Sequence, residues 1–302
     1  MRVGVTGSTG FLGAALCGAL GARGDEVVRF VRPDSPAVGG LRVRWDPARG
    51  LVDEADLKSV GGLDAVVNLA GVSVAGHRWT PSYRASVKES RTAATSLLVA
   101  SLATLSSGGG FLLSSSAVGY YGNRGDEVLD ETAAPGEDYL AEVCVAWEDA
   151  AAPYARSGGQ LAVIRTGIVL GPGGGVLERL VPLFRGGLGG VIGNGRQWTG
   201  PVSLGDYVAA VLWLIDGRRS GTFNVCAPEP CTNREMTRAL ARALHRPALA
   251  RVPSAALRLA LGRELADSTV LTSQRVVPRS LLESGFSFTS SDVEQVVASA
   301  LR

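Results

Sequence analysis

A glycine-rich turn near the N-terminus constrains the fold of this chain more than any other feature. The residues Thr6-Gly7-Ser8-Thr9-Gly10-Phe11-Leu12-Gly13 follow an apolar run and open a helical pattern. In that context Gly7 permits a tight turn, Gly10 lets backbone approach a pyrophosphate, and Gly13 lets helix and strand pack closely. The N–H groups at the helix start then face the phosphates. We predict a dinucleotide-binding unit in which Gly7 to Gly13 contact the cofactor; the alternative is a plain strand-to-helix turn.

Strand-like and helix-like segments alternate along the rest of the chain. The predicted strands are Val3–Thr6, Glu26–Val31, Leu41–Trp45, Ala65–Leu69, Phe111–Ser115, Leu161–Arg165 and Thr222–Val225. The predicted helices are Phe11–Ala22, Pro81–Leu105, Tyr139–Ala155, Leu204–Ile215 and Asn233–Leu244. Several of these strands are apolar throughout, which is typical of a parallel sheet covered on both faces. The pattern therefore predicts an α/β fold.

Composition excludes several classes of protein. A hydrophobic share of 46% with 19% charged residues indicates a packed core and not a disordered chain. The 30 basic and 28 acidic residues are too evenly balanced to indicate a nucleic-acid or membrane partner. No apolar run reaches the roughly 18 residues of a membrane helix, and the N-terminus lacks a signal-peptide layout. The four cysteines and two histidines are spread out, so we expect no metal site, reduced thiols and a cytoplasmic location.

The end of the second predicted strand indicates which dinucleotide is bound. A cofactor without a 2′-phosphate is usually held by an acidic residue about 20 residues beyond the glycines. This strand ends in Val31-Arg32-Pro33 and carries no acid at its tip. Since an arginine fork suits a phosphate group, we predict NADP(H) with Arg32 at the 2′-phosphate. The alternative is a solvated charge at a strand end.

Several motifs carry a resemblance to a known family. Beside the glycine turn they are Asp64–Gly71, Ser114–Gly122, Arg78–Thr80, Ser90-Arg91, Trp147-Glu148, Arg165–Gly171, Gly193–Trp198 and Gln274–Pro278. Together they resemble atypical extended short-chain dehydrogenase/reductases of the NAD(P)-dependent epimerase/dehydratase-like "epimerase family". The resemblance covers essentially the whole chain.

The resemblance implies a Rossmann-type doubly wound parallel sheet with a small C-terminal substrate lobe. We expect the cofactor domain to span 1–165, with 204–227 returning to it, and the smaller lobe to take most of 166–302. The resemblance also implies further cofactor contacts, which fall on Leu69, Ala70, Gly71, Ser114, Gly167 and Ile168. Leu69 to Gly71 alone could also be a buried strand with a glycine turn.

The catalytic residues depart from the family pattern. Ordinary members carry Tyr-x-x-x-Lys on one helix, where the lysine lowers the pKa of the phenol and holds the ribose. No such pair exists here, because Tyr139 takes the tyrosine position but Val143 stands where the lysine would be. Ser116 matches the serine that binds the substrate oxygen in relatives. We predict Ser116 and Tyr139 as catalytic residues; the alternatives are a strand-end hydroxyl and a core tyrosine.

Two classes of function remain open at this stage. One is an NADP(H)-dependent oxidoreductase or epimerase acting on a small polar, nucleotide-sugar-like metabolite, with Tyr139 as proton donor. The other is a catalytically degenerate NADP(H)-binding sensor or regulatory protein. Retained Ser116 and Tyr139 favour the enzyme, whereas the missing lysine favours the sensor. The sequence names neither the substrate nor the reaction direction nor the oligomeric state.

Overall fold

The computed structural model describes residues 1–35, 39–105, 110–248 and 250–302. The strands within these ranges are β1 (Arg2–Thr6), β2 (Glu26–Val31), β3 (Leu41–Asp46), β4 (Leu51–Val52), β5 (Ala65–Asn68), β6 (Phe111–Ala117), β7 (Val128–Leu129), β8 (Gln160–Thr166), β9 (Ile168–Leu170), β10 (Gly190–Ile192), β11 (Trp198–Thr199), β12 (Pro201–Ser203), β13 (Gly221–Val225), β14 (Cys231–Thr232), β15 (Ala250–Val252) and β16 (Arg275–Val276). The helices are α1 (Phe11–Ala22), α2 (Glu54–Ser59), α3 (Pro81–Ala103), α4 (Tyr139–Arg156), α5 (Leu177–Arg185), α6 (Leu204–Asp216), α7 (Asn233–Ala243), α8 (Ser254–Leu261), α9 (Arg263–Ser268), α10 (Arg279–Glu283) and α11 (Val293–Ala300).

The central sheet has the strand order β13-β8-β6-β5-β1-β2-β3-β4. Its neighbours pair in parallel, apart from the antiparallel edge pair of β3 and β4. The chain moves outward from β1 to β4 and then crosses back to β5 on the other side of β1. This order confirms the prediction of a Rossmann-type doubly wound sheet. In open α/β sheets ligands bind where the strand order reverses, which here is the carboxyl edge of β1 and β5.

Two apolar layers cover the two faces of this sheet. Alternation along each strand sends Val67 and Leu113 into a core with α1 and α6, where Leu16 and Tyr207 are fully buried. The neighbouring Leu112 faces the opposite core with α3 and α4. Burial of this kind stabilises by about 25 cal/mol for each Å² of apolar surface removed from water. Both layers hold the strand ends in fixed positions.

The C-terminal part of the chain packs around a third apolar core. This core joins α5, α7 and α11 through Phe184, Leu240 and Val296. Helix α7 begins with a capping box, in which Thr232 and Glu235 bond to each other's backbone N–H. Two segments return to the central sheet, since α6 packs on it and β13 forms its edge. The short strands β9 to β12 connect the two regions.

Long elements agree with their predicted bounds, and short ones were not anticipated. The predicted helix Phe11–Ala22 is confirmed residue for residue, as is the strand Glu26–Val31. Two- and three-residue strands such as β9 and β12 carry too little pattern to be recognised. They form because parallel pairing with each other satisfies their backbone groups.

Candidate active site

The turn after β1 depends on two close backbone approaches. Gly7 has φ +62°, and a Cβ there would lie 2.7 Å from the Leu69 carbonyl oxygen. A Cβ on Gly13 would lie 2.2 Å from the Gly7 carbonyl oxygen, so helix and turn touch without a side chain between them. Larger residues at either position would collide with backbone. These two glycines therefore set the shape of the turn.

Gly10 has a different surrounding. A Cβ there would meet only the Gly7 carbonyl oxygen, at 3.3 Å, and the residue is exposed. Gly10 precedes α1 without a side-chain cap, so the first N–H groups of the helix have no capping acceptor. The Ser8 hydroxyl is buried and lacks a partner among the described residues. An uncapped helix start beside an unpaired hydroxyl and an open glycine fits a bound phosphate.

Thr6 ties this turn to the next strand along the sheet edge. Its hydroxyl accepts hydrogen bonds from the N–H groups of Leu69, at 2.9 Å, and Ala70, at 3.1 Å, and it donates to the Asn68 side chain at 2.8 Å. Asn68 in turn donates to Thr95 at 2.8 Å. The amides of Leu69 and Ala70 are thus used inside the protein. Any cofactor contact at these residues has to use other atoms.

The remaining predicted cofactor residues fall into two groups. Arg32 is exposed and lies just beyond the end of β2. Ser114 is buried, and its hydroxyl accepts a long 3.5 Å bond from Asn68. The N–H groups of Gly167 and Ile168 donate to Val225 and Gly200. The cofactor contacts at these positions stay predictions, and at the last two they cannot use the backbone N–H.

A cleft of about 500 Å³ opens beside the start of α1. Its walls are formed by the glycine turn, α1 and the loop after β9, and the lining residues include Thr9, Gly10, Phe11, Pro172, Gly173 and Glu178. The Phe11 ring lies against Gly174, where a Cβ would be 2.7 Å from the ring. The glycines after β9 therefore leave room for this aromatic side chain at the mouth of the cleft.

Ser116 lies at the end of β6 in a cluster of buried polar groups. Its hydroxyl donates to Glu148 of α4 at 2.7 Å. Arg165 of β8 donates to both oxygens of the same carboxylate, at 2.9 Å each. Ser116 and Arg165 are only 3% and 5% exposed. The ion pair holds the carboxylate in place, and the carboxylate fixes the hydroxyl proton of Ser116.

Aromatic groups surround the guanidinium of Arg165. It also donates to the Tyr121 hydroxyl at 3.1 Å, and it stacks 3.3 Å from the centre of the Tyr120 ring. Burial alone would lower the pKa of Arg165, but the hydrogen bonds and charge of Glu148 outweigh burial and raise it. Arg165 is therefore a permanent buried cation. The sequence offered one signal for it, an arginine within an otherwise apolar strand.

Tyr139 points away from this cluster. It is the first residue of α4, and its hydroxyl donates to the backbone carbonyl of Arg84 in α3. The Arg84 guanidinium lies 4.1 Å from the centre of its ring. Burial raises the pKa of the Tyr139 phenol above its ordinary value, against the opposing charges of Arg84 and Arg91. The structure thus does not bring Tyr139 into hydrogen-bond contact with Ser116, and its proton-donor role stays a prediction.

A different face of α4, which does not include Tyr139, lies against Ser116 and the end of β6. Leu140 lies near Gly119, the Cys144 thiol donates to the Ala117 carbonyl at 3.7 Å, and Glu148 bonds Ser116. These residues are spaced by four, so they share one side of the helix. Burial and the nearby Glu148 charge raise the pKa of Cys144 to about 11, which keeps the thiol protonated at neutral pH. Val143, at the lysine position, is buried.

Comparison with known proteins finds sequence matches over most of this chain. The NAD dependent epimerase/dehydratase family profile matches residues 3–226, and a domain of unknown function matches residues 252–300. An epimerase family protein of Mycobacterium tuberculosis is 42% identical over 287 residues, covering 95% of this chain and 93% of that protein.

Two solved structures extend the likeness to three dimensions. Human epimerase family protein SDR39U1, crystallised with NADPH, is 31% identical with a TM-score of 0.88, covering 99% of both chains. A nucleoside-diphosphate sugar epimerase from Corynebacterium glutamicum is 34% identical with a TM-score of 0.77, covering 100% of this chain and 58% of that one.

Within the described residues, no helix is long and apolar enough to cross a membrane.

Proposed function

The chain belongs to the NAD-dependent epimerase/dehydratase family, and we propose that it binds NADP(H) and acts as an oxidoreductase or epimerase on a small polar metabolite. Family membership confirms the resemblance that the motifs predict. The observation that carries the proposal is the meeting of two features at one sheet edge. The open glycine turn follows β1, and Ser116 is the second-last residue of β6, with only β5 between these two strands.

The cofactor end of the site is formed by the turn and the tip of β2. The uncapped start of α1, Gly10 and the buried Ser8 hydroxyl hold the pyrophosphate. Arg32 holds the 2′-phosphate, for which a free guanidinium is suited. The NADPH bound to human SDR39U1 supports this choice of cofactor. When bound, the nicotinamide supplies hydride transfer to or from the substrate.

The substrate end is formed by Ser116 with its supporting ion pair. Because Ser116 donates its proton to Glu148, its oxygen can act toward a substrate only as a hydrogen-bond acceptor. A substrate hydroxyl can therefore donate to Ser116 and be oriented by it. Arg165 holds Glu148 in place through hydrogen bonds to both of its carboxylate oxygens, so that this preference is built into the resting site. The name of the Corynebacterium glutamicum relative supports a nucleoside-diphosphate sugar as substrate class.

A location in the cytoplasm fits the state of the thiols. All four cysteines are free and buried, as in proteins of reducing compartments.

The experiment follows NADPH absorbance with a panel of small hydroxy or keto metabolites and of nucleotide sugars, and it also analyses the products by NMR, because an epimerase regenerates its cofactor and leaves the absorbance unchanged. We expect turnover by the unaltered protein and a loss of about 10²-fold or more in Ser116→Ala, because substrate orientation is lost. Tyr139→Phe is measured beside it, with a similar loss expected if the phenol is the proton donor. A Ser116→Ala variant as active as the unaltered protein contradicts the assigned site.

A second function has specific support in the same structure. The lysine position is filled by buried Val143, and the Tyr139 hydroxyl is occupied by the Arg84 carbonyl. Both features favour an NADP(H)-binding sensor that does not turn over. Tight NADPH binding together with no reaction across the panel favours this second function. Reaction with any member of the panel rejects it.

A further inference from the structure

Arg91 of α3 lies against the loop that follows β5. A Cβ on Gly71 would be 3.2 Å from the Cγ and Cζ atoms of Arg91 and 3.4 Å from its Nη1. Any other residue at position 71 would press on this side chain. Gly71 thus leaves space for the Arg91 guanidinium at the carboxyl edge of the sheet.

The charge of Arg91 has no counter-ion among the residues that the structure describes. Nη1 donates to the Val87 carbonyl at 2.8 Å, and the guanidinium lies 5.0 Å from the centre of the Trp147 ring. Burial lowers the pKa of Arg91, with the nearest opposing effects from Cys144 and Tyr139. A partly desolvated cation without an acid is costly, and one carbonyl with one ring uses few of its five donors.

Arg165 shows how an arginine with a counter-ion is held in the same region. Its guanidinium is paired with both oxygens of Glu148 and bonded to Tyr121 and to the Glu131 carbonyl. The unbonded nitrogens of Arg91 are not sealed from solvent, in contrast to the buried and unpartnered Nε of Arg275. Arg91 is therefore a cation with donors available to a bound molecule.

The sheet order places Arg91 between the two ends of the site. The glycine turn follows β1, Gly71 follows β5, and Ser116 lies near the end of β6, and these strands are neighbours in the order β1, β5, β6. A dinucleotide whose pyrophosphate lies on the turn and whose ring reacts near Ser116 must pass the end of β5. The part that joins pyrophosphate and nicotinamide is a ribose, with hydroxyl groups that accept hydrogen bonds.

We propose that Arg91 holds the nicotinamide-side ribose of NADP(H), supplying from α3 the cation that the position of Val143 on α4 lacks. This inference rests on the proposed function, since it requires that NADP(H) binds on the glycine turn. The proposal also explains why residue 71 is a glycine. The absence of a side chain there leaves space for Arg91, whether or not the Gly71 backbone contacts the cofactor. Arg91 is then a cofactor-binding residue, distinct from Arg32, which contacts the other end of the molecule.

The test compares two ligands that share one half. Calorimetry measures the binding of NADPH and of adenosine 2′,5′-bisphosphate, which lacks the nicotinamide and its ribose. We expect Arg91→Met to weaken NADPH about 10- to 100-fold and to leave the bisphosphate unchanged, because charge-assisted hydrogen bonds to the ribose are lost. Lys88→Met, which removes an exposed cation from the same helix, should change neither affinity. Arg32→Ala should weaken both.

Each result decides a different point. Unchanged NADPH affinity in folded Arg91→Met, or an equal loss for both ligands, overturns the role of Arg91. Failure of the unaltered protein to bind NADPH overturns the proposed function itself. Circular dichroism checks folding, and if Arg91→Met does not fold, Arg91→Gln is used in the same comparison.

Discussion

The glycine turn and the Ser116 cluster are two polar regions at one edge of the sheet, but they are assembled in opposite ways. The turn consists of consecutive residues, and its shape depends on backbone that only glycine permits at positions 7 and 13. The cluster joins side chains of β6, α4 and β8, the closest pair of which is 17 residues apart. The shape of the turn is thus determined by residues that are neighbours in the sequence. The arrangement of charges in the cluster depends instead on tertiary packing.

The largest expected effect breaks the charge balance of the cluster. Glu148→Ala leaves Arg165 buried without its carboxylate, so we expect the free energy of unfolding to fall by about 3–5 kcal/mol. The control is Glu142→Ala on the same helix, which removes an exposed partner of Lys88 and should cost about 0–1 kcal/mol. Urea unfolding measures both. Equal, small losses would mean that the buried pair adds nothing to stability.

The next effect concerns the cofactor end, where Arg32 is proposed to select NADP(H) over NAD(H). Arg32→Asp should weaken NADPH by about 2–3 kcal/mol, because it removes a charge-assisted contact and puts a like charge near the 2′-phosphate. NADH affinity should fall much less or improve. Calorimetry with both cofactors checks the difference. An equal loss for NADPH and NADH would show that Arg32 does not contact the 2′-phosphate.

The smallest expected effect tests whether the turn depends on hydrogen bonds to residues that are distant in the sequence. Thr6→Val removes a hydroxyl that accepts from the amides of Leu69 and Ala70, 63 and 64 residues away. We expect a loss of about 1–2 kcal/mol in the free energy of unfolding, since these amides lose their partner. Thr6→Ser keeps the hydroxyl and is the matched control. If both variants match the unaltered protein, the turn does not depend on this long-range bond.

Prediction from sequence succeeded where one local pattern determines structure. Three glycines spaced three residues apart between a strand and a helix identify the turn, and the predicted bounds of α1 agree with the structure at both ends. The alternation of strands and helices predicts the parallel α/β class, and the family resemblance implies the doubly wound arrangement of the central sheet. These features can be predicted without knowing which side chains contact each other in the folded protein.

The rest could not be predicted, because it depends on pairing and on helix rotation. Glu148 and Arg165 belong to recognised motifs, but nothing in the sequence selects Glu148 among 28 acidic residues as the partner of Arg165. Tyr139 precedes the Leu140–Cys144–Glu148 face by one residue, about 100° of helix rotation, and so points to α3. The sequence shows Arg91 only as part of the Ser90-Arg91 motif. That it has no counter-ion among the described residues depends on the tertiary structure.

The central claim is that NADP(H) binds on the turn after β1, and Gly10→Val tests it most directly. Position 10 is exposed and adjoins only the Gly7 carbonyl oxygen, so the variant should keep its fold while its side chain fills the space of the pyrophosphate. Fluorescence titration with NADPH, with circular dichroism as the check of folding, is the measurement. We expect saturable binding by the unaltered protein and no detectable binding by folded Gly10→Val. Equal affinity in the two proteins would contradict it.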